Sequence, residues 1–240
     1  MTNNTRSSLA IQKVVDAIPY AQEQHLACVL LIDASGSMSG QKISEVNDAL
    51  QSFKKYVLED EIARKRCDIA LVTFCGENEV EIIHEFSTIE KFNPPTLEAQ
   101  GKTPLGYAIL IAAKMIEERK KYYKQQGISY LRPWIFLITD GDPTDMQEGD
   151  QMWNDVINNT HDAEKNKKYI LYNVGTQSAD FRILAKIAQP KTPPVMLKEA
   201  KWHEMFQWLS RSMSATSKST GDEQIKLESI GNWASVSTSK

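Results

Sequence analysis

Apolar runs and amphipathic stripes alternate along this chain. Residues 26–33, LACVLLID, form an almost unbroken apolar run closed by Asp33. A strand buried on both faces reads this way, as in a parallel sheet. In the next segment, QKISEVNDALQSFKKYV, Ile43, Val46, Leu50, Phe53 and Val57 recur at steps of three and four. That spacing predicts a helix with one buried stripe. CDIALVTFCG (67–76) and EVEIIHEFS (79–87) read as two strands. The short GEN between them predicts a hairpin, which makes the second an antiparallel edge strand.

KFNPPTLEAQGK is a loop, broken by Pro94, Pro95 and Gly101. A second helix is expected from TPLG, with Thr103 as its cap, Pro104 in the first helical position and Gly127 as its stop. Leu105, Ala108, Ile109, Ala112 and Ile116 form its buried stripe. RPWIFLITDG (132–141) repeats the opening theme, an apolar run ending in aspartate and glycine. A helix over about 147–165, a strand in KKYILYNVGT, a short helix in DFRILAKIA, a short strand in PPVMLKEA and a final helix in KWHEMFQWLSRSM complete the series. Strands and helices alternate throughout. The expected fold is α/β: a doubly wound, Rossmann-like domain with a mostly parallel sheet, one antiparallel edge strand and helices on both faces. We expect an N-terminal extension over 1–23, the domain over 24–212 and a Ser/Thr-rich tail over 213–240. The chain from Ser210 onward predicts flexibility, with Ile225, Leu227, Ile230 and Trp233 able to dock on the domain.

The 240 residues are 41% apolar and 25% charged, with net charge −3. This is ordinary globular material, and no excess of Lys and Arg points to nucleic acid or an anionic membrane surface. Cys28, Cys67 and Cys75 show no CxxC spacing and read as small core residues in a reducing compartment. No run approaches 18 uncharged apolar residues and the first twenty carry no secretory apolar region. No membrane association and a cytoplasmic location are expected.

Asp33 and Asp140 each end a buried strand. In a parallel sheet both ends lie on the carboxyl edge, where open α/β sheets bind ligands. Ser35, Ser37 and Thr103 add hydroxyls, so the set is all oxygen. Hard cations such as magnesium favour such ligands. Gly36 lets the loop turn tightly between the two serines.

These residues also resemble a known family. DASGSM resembles the D-x-S-x-S signature of von Willebrand factor type A domains, GKTPLG their threonine loop and LITDG their distal aspartate. The stretch TPLGYAILIAAKMIEERKKYYKQQGISYLRPWIFLITDGDPTD is similar to the TerY-like, tellurite-resistance-associated bacterial branch, and the likeness covers about residues 24–212. The resemblance implies a metal-ion-dependent adhesion site. Ser35, Ser37 and Thr103 would hold Mg2+ through hydroxyls, and Asp33 and Asp140 would hold it directly or through water; Mn2+ and Ca2+ are the alternatives. It further implies a non-enzymatic protein-interaction module whose ion takes a Glu or Asp carboxylate from a protein partner. A bacterial stress-response or phosphorylation-linked system, with a protein kinase or PP2C-type phosphatase as partner, is the implied setting.

Rival chemistries find less support. GKT lacks the first glycine of a phosphate-binding loop, since Thr96 stands there. His25, His84, His161 and His203 are scattered, as surface or capping histidines are, and no GxSxG occurs. The best enzymatic alternative is a magnesium-dependent phosphatase with Asp33 as phosphoryl acceptor, although Ser35 stands where such enzymes carry a second acid. Asp142, Asp145, Glu148 and Asp150 are expected to form an acidic loop opening a helix.

Overall fold

The computed structural model describes residues 19–76, 79–219 and 227–236. Expected docking of Ile225 and most of the 1–23 extension fall outside them. A seven-stranded sheet runs through the molecule. Its strands are β1 (Leu26–Asp33), β2 (Cys67–Cys75), β3 (Glu79–Thr88), β4 (Trp134–Thr139), β5 (Ile170–Gly175), β6 (Val195–Leu197) and β7 (Ala234–Val236). Their spatial order is β3-β2-β1-β4-β5-β6-β7. The inner strands pair in parallel, and β3 is the antiparallel edge strand that the hairpin signal predicted.

Side-chain alternation along β1 explains the two layers. Leu26, Cys28, Leu30 and Ile32 enter one core; Ala27, Val29 and Leu31 enter the other. The first core packs on α1 (Gln41–Glu59), through Val46, Leu50, Phe53 and Val57, and on α6 (Trp202–Ser217), through Met205, Phe206 and Leu209. A short α2 (Glu61–Arg66) links α1 to β2. The second core packs on α3 (Leu105–Gln125), α4 (Gln151–Lys165) and α5 (Phe181–Ile187). Each fully buried Leu, Ile, Val or Phe contributes about 1.5–3 kcal/mol of transfer free energy, so strands apolar on both faces and helices with one stripe settle as this sandwich.

Beyond α5 the Ser/Thr-rich stretch departs from expectation. α6 continues to Ser217, with Ser210, Ser212 and Ser217 buried in its interface. β7 then pairs antiparallel with β6 and covers what would be an open edge. Trp233 is buried against Trp208, their ring centroids 5.2 Å apart, and Trp208 Nε1 donates to the Glu228 carbonyl at 2.9 Å. Leu227 and Ile230 pack on the same core, as the sequence allowed. Among the described residues no helix is long and apolar enough to cross a membrane.

The chain order fixes where a ligand can sit. From β1 the chain passes through α1 and α2 to β2 on one side, while β4 lies on the other. Strand order therefore reverses between β1 and β4, and the crevice outside their carboxyl ends is the natural binding point of such a sheet.

Candidate metal site at the carboxyl edge

Asp33 is the last residue of β1, and Asp140 directly follows β4. Both lie at the reversal point. Asp33 is fully buried, and each of its oxygens accepts a bond: Oδ1 from the Ser35 backbone N–H at 2.8 Å, Oδ2 from the Thr139 hydroxyl at 2.6 Å. Burial raises the Asp33 carboxyl above its ordinary range. The Ser35 and Thr139 hydrogen bonds oppose that shift, and the nearby Asp140 adds to it.

The serine loop turns through a 3-10 turn at Gly36–Met38. Its two hydroxyls converge, Ser35 Oγ lying 3.0 Å from Ser37 Oγ. Ser37 Oγ in turn donates to Asp140 Oδ1 at 2.6 Å. Ser35 and Asp140 are buried, whereas Ser37 is exposed and opens the cluster to solvent. This hydrogen-bonded row crosses from β1 to β4, residues 103 apart in sequence.

Backbone contacts bring in the threonine loop. Gln100 N–H donates to the Ala34 carbonyl at 2.8 Å and Gly36 N–H to the Gly101 carbonyl at 3.0 Å. Gly101 has φ +70°, and a Cβ there would lie 2.6 Å from the Gly76 backbone. Only glycine fits this crossing. Thr103 is buried, with its hydroxyl turned to the cluster. A Cβ placed on Gly141 would lie 3.2 Å from Thr103 Oγ1 and 3.5 Å from Ser37 Oγ. Glycine at 141 leaves that space to the hydroxyls.

Thr103 does not cap α3, contrary to the sequence expectation. Pro104 occupies the cap position and the helix begins at Leu105. The orphan N–H groups of Gly106 and Tyr107 donate instead to Asp145, at 3.1 Å and 2.8 Å. The reason is local. Leu105 N–H turns back to the Thr103 carbonyl at 2.8 Å, and Thr103 is zipped to Thr144 through both backbone groups. An acid from the acidic loop thus fills the cap, and the Thr103 hydroxyl is left for the cluster. Asp150 caps α4 by accepting from Trp153 N–H at 2.7 Å, as the acidic-loop expectation held.

All five sequence-selected residues therefore lie in one cluster at the carboxyl edge. Sequence reading passed over Lys42, whose amine bonds to Asp140 Oδ2, and Thr139, which holds Asp33. Thr139 had a legible signal, since it is the residue before Asp140 in LITDG. Lys42 had only its place in the first turn of α1. His25, read as a surface or capping residue, is instead fully buried against Asp68 at the opposite edge.

Comparison with known proteins agrees with this fold. A solved von Willebrand factor type A structure from Catenulispora acidiphila superposes with TM-score 0.60 at 14% identity, over 80% of this chain and 43% of that one. The pilus adhesin SpaC of Lactobacillus rhamnosus GG gives 0.62 at 13% identity, over 80% and 31%. These likenesses concern the fold. Inter-alpha-trypsin inhibitor heavy chain H4 of Sus scrofa is 32% identical over 122 residues, 48% of this chain and 12% of the relative, so the match spans a small part of that protein. The profile of the von Willebrand factor type A domain matches residues 28–209, most of the sequence, and the chain belongs to that family.

Proposed function

We propose that this protein is a divalent-metal-dependent protein-interaction module. One observation carries the reading: Asp33, Ser35, Ser37, Thr103 and Asp140 come from three distant segments and converge at the strand-order reversal. The donors are carboxylates and hydroxyls, which suit Mg2+, with Mn2+ and Ca2+ as alternatives. Among the described residues no group of three His, Cys, Asp or Glu side chains could hold a metal, so nothing favours a thiolate or imidazole site. The room left by Gly141 between two hydroxyls, and the buried Asp33 carboxyl, raised first by burial and further by Asp140, both fit a bound cation.

Ser35, Ser37 and Thr103 would hold the ion through neutral oxygens, with Asp33 and Asp140 bound directly or through water. When bound, such an ion supplies an incompletely neutralised positive centre that attracts an anionic ligand from outside. Exposed Ser37 marks the open side, where a Glu or Asp of a partner protein would approach. The similarity to TerY-like proteins supports a bacterial stress-response setting, tellurite resistance included. It also supports a protein kinase or PP2C-type phosphatase as partner, while the three free cysteines support a reducing, cytoplasmic location.

An enzymatic role for Asp33 as phosphoryl acceptor is less well supported, because the residue is fully buried and both its oxygens already accept hydrogen bonds. Affinity capture from native lysate separates the two. The interaction module captures its partner with magnesium, loses it on chelation and on Asp33→Ala, and hydrolyses no phosphoester. Capture indifferent to both treatments, or turnover with a beryllofluoride adduct at Asp33, would sink the reading.

A further inference from the structure

We propose that Lys42 is an exchangeable counter-ion for Asp140, competing with the divalent ion for that carboxylate and thereby setting the metal affinity of the site. The inference rests on the metal reading above and names a residue that governs it.

Lys42 is the second residue of α1. A cation in the first turn opposes the helix dipole, and no acidic side chain shares that turn to offset it. Its compensation comes from elsewhere. The amine donates to Asp140 Oδ2, to the Ser37 carbonyl at 3.3 Å and to Ser178 Oγ at 3.2 Å. All three ammonium donors are used, and they tie together the loops that follow β1, β4 and β5. The Asp140 side chain is fully buried, whereas that of Lys42 is 37% exposed. Lys42 thus reaches in from the rim along its aliphatic stem.

Asp140 is divided between two partners. Oδ1 accepts from Ser37, a residue of the candidate metal set, while Oδ2 accepts from Lys42. A dication on this carboxylate would stand within a few ångströms of the ammonium. At that range like charges repel strongly in a partly buried site. Lys42 can yield without leaving the rim, because the Ser37 carbonyl and the Ser178 hydroxyl remain as neutral acceptors. The amine then faces the groove lined by Gln41, Glu45, Thr176 and Trp202. There it offers a second positive group beside the approach of an acidic partner. A purely structural staple makes the opposite prediction: removing Lys42 would loosen Asp140 and weaken metal binding.

Manganese titration followed by electron paramagnetic resonance, on the full chain as wild type, Lys42→Met and Lys42→Arg, decides between them. Melting curves establish that each variant is folded. Lys42→Met is expected to bind manganese roughly tenfold tighter, with Lys42→Arg close to wild type. A second readout needs no variant. The acetylation rate of Lys42, followed by mass spectrometry, is expected to rise several-fold at saturating manganese while other lysines stay constant. Lys42→Met binding no tighter than wild type, or Lys42 becoming protected by manganese, overturns the inference and leaves the metal reading standing. Absence of manganese binding in every variant overturns the metal reading and the inference with it.

Discussion

The two edges of the sheet bury carboxylates in contrasting company. At the amino edge, Asp68 Oδ2 accepts from His25 Nδ1 at 2.9 Å, Arg119 at 3.0 Å and the Tyr123 hydroxyl at 2.5 Å. Arg119 is itself sandwiched among rings, its guanidinium carbon 4.9 Å from the Tyr123 centroid and 5.3 Å from that of Phe86. Burial pushes the Asp68 carboxyl up, but the His25 bond and the Arg119 charge outweigh it and hold the group below its ordinary range. At the carboxyl edge, Asp33 has only neutral partners and is held above its ordinary range. One edge neutralises its acid internally; the other leaves negative charge short of compensation. The first arrangement is a structural knot, and the second is what a cation-binding site requires.

Mutations that exchange these characters give the sharpest tests. Asp68→Ala would strand a buried guanidinium and is expected to destabilise the fold by about 3–5 kcal/mol, measured by chemical denaturation. A loss below about 1 kcal/mol would mean that the knot is not structural. Asp145→Ala removes the acceptor for two orphan N–H groups of α3 and is expected to lose about 1–2 kcal/mol. It should also weaken manganese binding by releasing the threonine loop, whereas Asp68→Ala should leave the affinity of the folded fraction unchanged. Asp33→Asn is expected to alter stability by no more than about 1 kcal/mol, because the Thr139 hydroxyl can rotate to serve an amide.

Acid should separate the edges as well. Asp68 has a depressed folded pKa, so its contribution is present above the unfolded value and fades as pH falls through the folded one. Asp33 has a raised folded pKa, so its ionised form opposes folding at neutral pH and that opposition vanishes as pH falls through the folded value towards the unfolded one. The melting-temperature difference between Asp33→Asn and wild type should therefore shrink as pH is lowered from neutrality without metal. A difference that widens would contradict the charge-short description of this edge.

Much of this was legible in the residues. Period-two and period-3.6 patterns located the long strands and helices, because each element must turn its apolar face or faces inward. The position of Asp33 and Asp140 at the ends of apolar runs marks the carboxyl edge in the sequence alone. β7 was not legible, since a three-residue strand has no period to detect; it forms because β6 offers an edge and Trp233 finds Trp208. Nor could spacing show that Thr103 would yield its capping role to Asp145, some forty residues later.

By itself the sequence determined the α/β layering, the order of the three site segments and the oxygen character of their side chains, since periodicity and composition are local properties of the chain. Only the tertiary structure decided which charges meet. Pairing Lys42 with Asp140 and His25 with Asp68 depends on loops and strands brought together by packing, and electrostatic energy follows distance in space rather than separation along the chain.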